Sequence, residues 1–198
     1  MSITIKEFQD EYEWGVLKPQ DCVETFNCGD EDLDNFIIKE SPNYSKALLA
    51  VTYVVRAKSL GNKVVAYFSL AADKLSVSDF NSNSEFNRFR KHRFILEKRM
   101  RSYPAVKLCR LGVDGSVKKC GLGSAILASV SYMLTHGNRF GCRFLTVDAY
   151  KAAVPFYEKN GFQPLTSKDA DHTTRMLSAI LTLTSTSGKR AMAVTTSL

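Results

Sequence analysis

Apolar and polar positions change period several times along the chain, and each change marks an element. LLAVTYVVRAK (48–58) and KVVAYFSLAA (63–72) are rich in β-branched and aromatic residues, which suits the pleated surface of a sheet. Gly61-Asn62 between them predicts a hairpin turn. Upstream, FNCGDEDLDNFIIKES spaces Leu33, Phe36 and Ile37 at i, i+3 and i+4, one buried face of a helix. Asp30 stands where it can cap that helix, and Pro42 where the helix is expected to stop. The stretch before it, to about residue 28, holds Trp14 and Pro19 among alternating polar residues and predicts a first strand and a loop.

The second half alternates more regularly. Pro104 opens AVKLCRLGV (105–113), a third strand. After a glycine-containing turn, Leu122, Ile126, Leu127, Val130, Met133 and Leu134 mark one helix face, with Gly137 as its stop. RFLTVDA (143–149) predicts a strand, and KAAVPFYEKN (151–160) a short helix starting near Pro155 and ended by Gly161. A last strand follows from residue 173 and passes into a Ser/Thr/Ala-rich stretch. With no internal repeat and no linker, early hairpins and one late strand–helix–strand crossover predict an α+β, or mixed α/β, sheet in one domain over 1–184, with a poorly defined tail at 185–198.

Composition narrows the class. The chain has 198 residues, 44% of them hydrophobic and 24% charged, enough for a proper core. No apolar run approaches the roughly 18 residues of a membrane span. The N-terminal MSITIKEFQDEYEW lacks the layout of a signal peptide, so the cytoplasm is the expected location. Cys22, Cys28, Cys109, Cys120 and Cys142 are odd in number and are expected as reduced thiols. They do not pair with His92, His136 or His172 at metal-ligand spacing, so no metal is expected. Lys and Arg exceed Asp and Glu by 27 − 20 = 7, which fits either an anionic partner or merely a basic, soluble surface.

The glycine turn, VKKCGLGSAIL (117–127), carries the chemistry. A turn from strand to helix presents unpaired backbone N–H groups at the positive end of the helix dipole. Gly121 and Gly123 remove the Cβ atoms that would hold phosphate oxygens away, and Lys118 and Lys119 add charge. A Walker A loop fails, because Leu122 rather than Lys follows Gly121. The dinucleotide fingerprint fails too, with Ile126 at its third glycine and no acid about 20 residues on.

Lys118-Lys119-Cys120-Gly121-Leu122-Gly123 resembles R/Q-x-x-G-x-G/A, the acetyl-CoA pyrophosphate loop of the GNAT superfamily of N-acetyltransferases, with lysine replacing the usual first residue. Some 30 residues on, VDAYKAAVPFYEKNGF is similar to that family's second signature, ending F-Y-x-x-x-G-F, with Lys151 where asparagine is frequent. The front of the chain, FNCGDEDLDNFI then TYVVRAK and KVVAYFSLA, resembles a branch that includes the acetylating toxins of bacterial toxin–antitoxin pairs. The resemblance implies a GNAT-like single domain whose central, mostly antiparallel sheet splays between strands 105–113 and 143–149.

It also implies roles. Backbone groups of Leu111, Gly112 and Val113 would meet the pantetheine arm of acetyl-CoA, and Lys118, Lys119, Cys120, Gly121, Leu122, Gly123 and Ser124 its pyrophosphate. Tyr157 would be the general acid that protonates the leaving thiolate; by itself it also reads as a core tyrosine beside Phe156. No general base stands out: Asp114 and Asp148 read equally as turn or surface carboxylates. An α-amine, with a pKa of about 7.7–8.0, needs a base less than a lysine amine at about 10.4. That absence favours an aminoacyl group as acceptor, and the branch implies the amino group of aminoacyl-tRNA. A small amine or a protein N-terminus is the alternative acceptor, and a non-catalytic acyl-CoA- or RNA-binding module the alternative class. tRNA, a small antitoxin protein and a second copy of the chain are the partners that the branch admits, with no membrane.

Residues 86–101 interleave cations with aromatics. Arg88, Arg90, Lys91 and Arg93 are candidate RNA contacts, whereas Phe86, Phe89 and Phe94 are expected to pack inward. Cys120 is expected to pack as a small residue rather than act as a nucleophile, with no histidine near it in sequence.

Overall fold

The computed structural model describes residues 5–94, 99–117, 120–136, 141–166 and 173–179. The strands are β1 (Tyr12–Val16), β2 (Val51–Ala57), β3 (Lys63–Ser76), β4 (Ser102–Val113), β5 (Phe144–Tyr150), β6 (Gln163–Pro164) and β7 (Thr173–Ala179). They form one sheet in the order β1-β2-β3-β4-β5-β7-β6. The pairs β1–β2, β2–β3, β5–β7 and β6–β7 run antiparallel. Among the described residues six α-helices accompany them: α1 (Ile5–Glu11), α2 (Glu31–Asn35), α3 (Ser41–Lys46), α4 (Asn83–Arg93), α5 (Leu122–His136) and α6 (Val154–Lys159). This is the mixed, mostly antiparallel α/β architecture that the sequence predicts. Among the described residues the chain divides into two compact units, one reaching to Ala71 and resuming over Leu108–Tyr132, the other taking Ala72–Lys107 and the chain from Met133.

In the first unit, β3 is buried at every position from Val64 to Leu70, as a strand covered on both faces must be. The hairpin to it closes through a 3-10 turn and then Gly61 and Asn62, both left-handed with φ 64° and 63°. Phe36 and Ile37 pack with Val54, Val64 and Tyr67, and the Asp30 carboxylate accepts the Leu33 N–H at 3.2 Å. Pro42 does not stop this helix. A π turn over Phe36–Glu40 adds one residue, the Ser41 N–H reaches the Phe36 carbonyl, and the Ser41 hydroxyl donates to the Ile37 carbonyl at 3.0 Å. Pro42, with no N–H to give, then falls in the first turn of α3, where none is needed. The expected first strand is β1, and a second difference is α1, a helix that precedes it. Among its described side chains the buried anchor is Phe8, 2% exposed, too little for a period to register.

In the second unit, β5 pairs with β7 from Phe144↔Ala179 to Tyr150↔Thr173, and the two residues of β6 pair with Leu177 and Met176. α4 starts at the cap Ser82, whose hydroxyl accepts the Glu85 N–H at 3.1 Å. Phe80, Phe86, Tyr103, Phe144 and Leu177 form the core here, with Phe89 and Phe94 packed on it. Asp73 accepts the Thr146 hydroxyl at 2.5 Å and an Arg175 N–H at 2.9 Å, tying the end of β3 to β5 and β7. α6 begins at Val154 with Pro155 in its first turn, and Gly161, at φ 83°, turns the chain out of it. The helix stop expected at Gly137 and the tail at 185–198 lie outside the described residues.

Candidate active site

The glycine turn lies between the end of β4 and α5, in the first unit. After Val113 the chain makes a 3-10 turn over Gly115–Val117 and enters α5 at Leu122. Gly121 has φ 91°, a conformation that a side chain strains, and its carbonyl accepts the Ala125 N–H at 3.1 Å. That bond is the first of the helix, so the N–H groups of Leu122, Gly123 and Ser124 have no acceptor within it. Gly123 and Ser124 are half-buried, whereas the Leu122 side chain is 1% exposed and offers only its backbone. This arrangement fits a pyrophosphate: donors without an acceptor among the described residues, a helix dipole and a glycine with no Cβ in the first turn. Lys118 and Lys119 lie outside the described residues.

Cys120 is half-buried, and its thiol donates to the Val117 carbonyl at 2.8 Å. The Tyr12 phenol, pushed up by burial and then by the thiol beside it, faces the same sulfur. The thiol is thus occupied in holding the turn, in keeping with packing rather than nucleophilic attack.

At the end of β4, Gly112 is buried, and Leu111 and Val113 are half-buried. A Cβ on Gly112 would stand 2.6 Å from Tyr67 Cε1 and 3.2 Å from Phe26 Cζ. Asp114 then fastens the strand end. Its carboxylate accepts the Asn27 N–H at 3.1 Å and the Ser116 N–H and hydroxyl at 2.9 and 2.5 Å, with Lys63 Nζ at 3.5 Å. Burial works to raise this carboxyl, but Ser116, Asn27 and Lys63 outweigh it and hold it below the usual carboxylate range.

Tyr157 belongs to the second unit. It is 7% exposed, with Phe156 and Phe162 edge-on at 5.1 and 5.4 Å. Burial pushes its phenol up to about 12, and its hydroxyl makes no hydrogen bond to a described residue. It is therefore a protonated donor at any physiological pH. Asp148, on β5, is held by Lys107 Nζ, and Asp73 by Arg175 and Thr146. These two, like Asp114, are engaged carboxylates.

α4 divides the predicted cations. Arg88 and Lys91 are exposed. Arg90 lies 5.4 Å from the Phe86 centroid and donates to the Arg99 and Met100 carbonyls, both at 3.3 Å. Arg93 covers the Phe89 ring at 4.4 Å. The aromatics pack inward: Phe86 is 3% exposed, Phe89 stands 5.1 Å from Phe80, and Phe94 stacks on Tyr103 at 4.1 Å. Sequence reasoning missed the carboxylate fastenings of Asp114 and Asp73, because their partners lie 87 and 102 residues away.

A model of the GNAT acetyltransferase domain matches residues 94–179. No curated protein matches the sequence. Among solved structures, one described as a bacterial toxin shares 15% identity, with a TM-score of 0.74, over 92% of this chain and 98% of its own. A tyrosine-to-phenylalanine variant of KacT shares 17% over 89% and 99%, with a TM-score of 0.70. AtaT complexed with acetyl-methionyl-tRNAfMet shares 18% over 87% and 97%, with a TM-score of 0.66. At these identities the likeness shows the fold.

Proposed function

The chain carries a GNAT acetyltransferase domain that takes acetyl-CoA as donor, and on that premise we propose that it acetylates the amino group of aminoacyl-tRNA. The observation that carries the acceptor is the state of the carboxylates Asp73, Asp114 and Asp148, each bound by cations or hydrogen-bond donors. None is free to deprotonate a lysine-like amine. An α-amine with a pKa of about 7.7–8.0 is substantially neutral near pH 8 and needs no such help. An aminoacyl ester presents an amine of this α-amino class, and the basic helix α4 suits the RNA that carries it. The neighbour AtaT, complexed with acetyl-methionyl-tRNAfMet, supports the same acceptor.

In this reading the N–H groups of Leu122, Gly123 and Ser124, with Lys118 and Lys119, hold the pyrophosphate, Cys120 and Gly121 shape the turn, and Leu111, Gly112 and Val113 meet the pantetheine arm. The amine nitrogen attacks the thioester carbonyl, the C–N bond forms and the C–S bond breaks. Tyr157 gives its proton to the departing sulfur and recovers one from water as the new amide loses its own. Arg88, Lys91 and Arg93 contact the RNA, while Arg90 orders the helix. Acetylating charged tRNA withdraws it from translation, which makes the activity toxin-like and a small antitoxin protein its natural restraint, in the cytoplasm.

The test is transfer of labelled acetyl from acetyl-CoA to a bulk pool of charged tRNA, with uncharged tRNA and Tyr157→Phe as controls. Label is expected on charged tRNA alone and lost in the variant. Label on free amines or protein N-termini with none on tRNA would refute the acceptor.

A further inference from the structure

The second unit contains a cavity of about 230 Å³ to which α4, β6 and β7 contribute. Phe80, Phe89 and Leu177 line its apolar part, and Arg88 and Arg93 its cationic part, with the His92 ring beside them. Gln163 adds an amide that can both donate and accept. The one acid in the lining among the described residues, Glu85, has its carboxylate on the Asn81 N–H at 3.0 Å. Neither Arg88 nor Arg93 forms an ion pair with a described residue. Arg143 adds to the excess: its charge opposes that of Arg93, and its Nε is buried with no hydrogen-bond partner among the described residues. Arg88, Arg93 and Arg143 thus have no acidic partner among the described residues, a charge excess that suits an anion from outside.

We propose that this cavity receives one unstacked nucleotide of single-stranded RNA, its base against the Phe89–Arg93 pair and Gln163, and its phosphate on Arg88 and His92. The volume holds a base and part of a ribose, not a base pair. Arg93 lies over Phe89 at 4.4 Å, so the outer face of a planar guanidinium is presented for a second flat group. Acidic peptide would satisfy the charges but has nothing flat to stack. The proposal rests on the aminoacyl-tRNA reading and adds to it where the unpaired end of the acceptor is held.

The experiment measures binding of a fluorescent single-stranded tetraribonucleotide ending in CCA to the full chain. Its arms are the same oligonucleotide with an abasic residue, competition by AMP, and competition by hexaglutamate. Gln163→Trp fills the cavity without removing charge, Arg88→Ala removes a phosphate contact, and Lys46→Ala, in the other unit, controls for charge alone. Gln163→Trp and the abasic oligonucleotide are each expected to weaken binding about tenfold. Arg88→Ala should weaken it severalfold, Lys46→Ala should not, and acetyl-CoA binding should be unchanged throughout. AMP should compete weakly and hexaglutamate poorly. Unchanged binding in Gln163→Trp, equal affinity for the abasic oligonucleotide, displacement by hexaglutamate, or AMP binding as tightly as the oligonucleotide would overturn the proposal. Transfer to charged tRNA that proceeds in Gln163→Trp with an unaltered KM would overturn the cavity alone. Cavity-dependent binding without any transfer would sustain the cavity and refute the acceptor.

Discussion

Tyr67 and Gly112 meet so closely that a Cβ on the glycine would lie 2.6 Å from Tyr67 Cε1. Tyr67 cannot give way easily. Its hydroxyl donates to the Leu33 carbonyl at 2.7 Å, and its ring meets Phe26 edge-on at 5.3 Å. Gly112→Ala must therefore push β4 at the place proposed for the pantetheine arm. The expected cost is about 1–3 kcal/mol of stability, with a raised KM for acetyl-CoA. Thermal denaturation and steady-state kinetics check both, and an unaltered KM would detach this strand from cofactor binding.

Tyr157→Phe is expected to lower kcat by about 10²–10⁴-fold while leaving the melting temperature nearly unchanged, since the hydroxyl makes no hydrogen bond to a described residue. Burial holds the phenol at about 12 in the folded protein, against about 10 when unfolded. The unfolded chain releases this proton first, so stability is fully present below about pH 10 and declines as pH rises toward about 12. Urea unfolding at pH 9 and 11 should show the decline reduced in the variant. A kcat that falls with an apparent pKa well below 10 would assign the acid to another group.

Asp114→Asn should destabilise the turn after β4 by about 1.5–3 kcal/mol at neutral pH, because its partners include buried N–H donors and a cation. The sign with pH is opposite to that of Tyr157. The folded carboxyl sits below its usual range, so its contribution is present above the unfolded value of about 3.9 and is lost as pH falls through the folded one. The stability gap between the two proteins should accordingly close in acid. A gap independent of pH would show that the loss comes from hydrogen-bond geometry and that charge contributes nothing.

Leu48 ends α3 in the left-handed conformation, φ 56°, with the Leu48 and Leu49 N–H groups bonded back to Ser45 and Tyr44. Glycine usually fills this place, and Leu48 is 92% exposed. Leu48→Gly should raise stability by about 1 kcal/mol, read as a higher denaturant midpoint. A loss would mean that the leucine makes contacts worth more than the strain.

Local chemistry explains what the sequence made legible. The Gly61-Asn62 hairpin, the Asp30 cap, the buried face from Leu122 to Leu134 and the Gly121 turn each follow from a few adjacent residues, and the last of these is the loop proposed for the cofactor. Pro42 misled because a local rule, no proline inside a helix, was met by a nonlocal solution: the Ile37 face keeps its packing on Val54 and Val64, and a π turn absorbs the difference. In α1 Phe8 is the one buried side chain among those described, too little for periodicity to show.

The sequence by itself determined the strand and helix periods, the glycine turn and the family signatures, since all are written in neighbouring residues. Only the tertiary structure decided which charges are spent and which are available. Asp114 is spent on Asn27, Asp73 on Arg175 and Asp148 on Lys107, whereas Arg88, Arg93 and Arg143 are left without acids among the described residues. An ion pair is set by distance in space. Folding brings residues up to 102 positions apart within hydrogen-bond reach, and no local pattern records that.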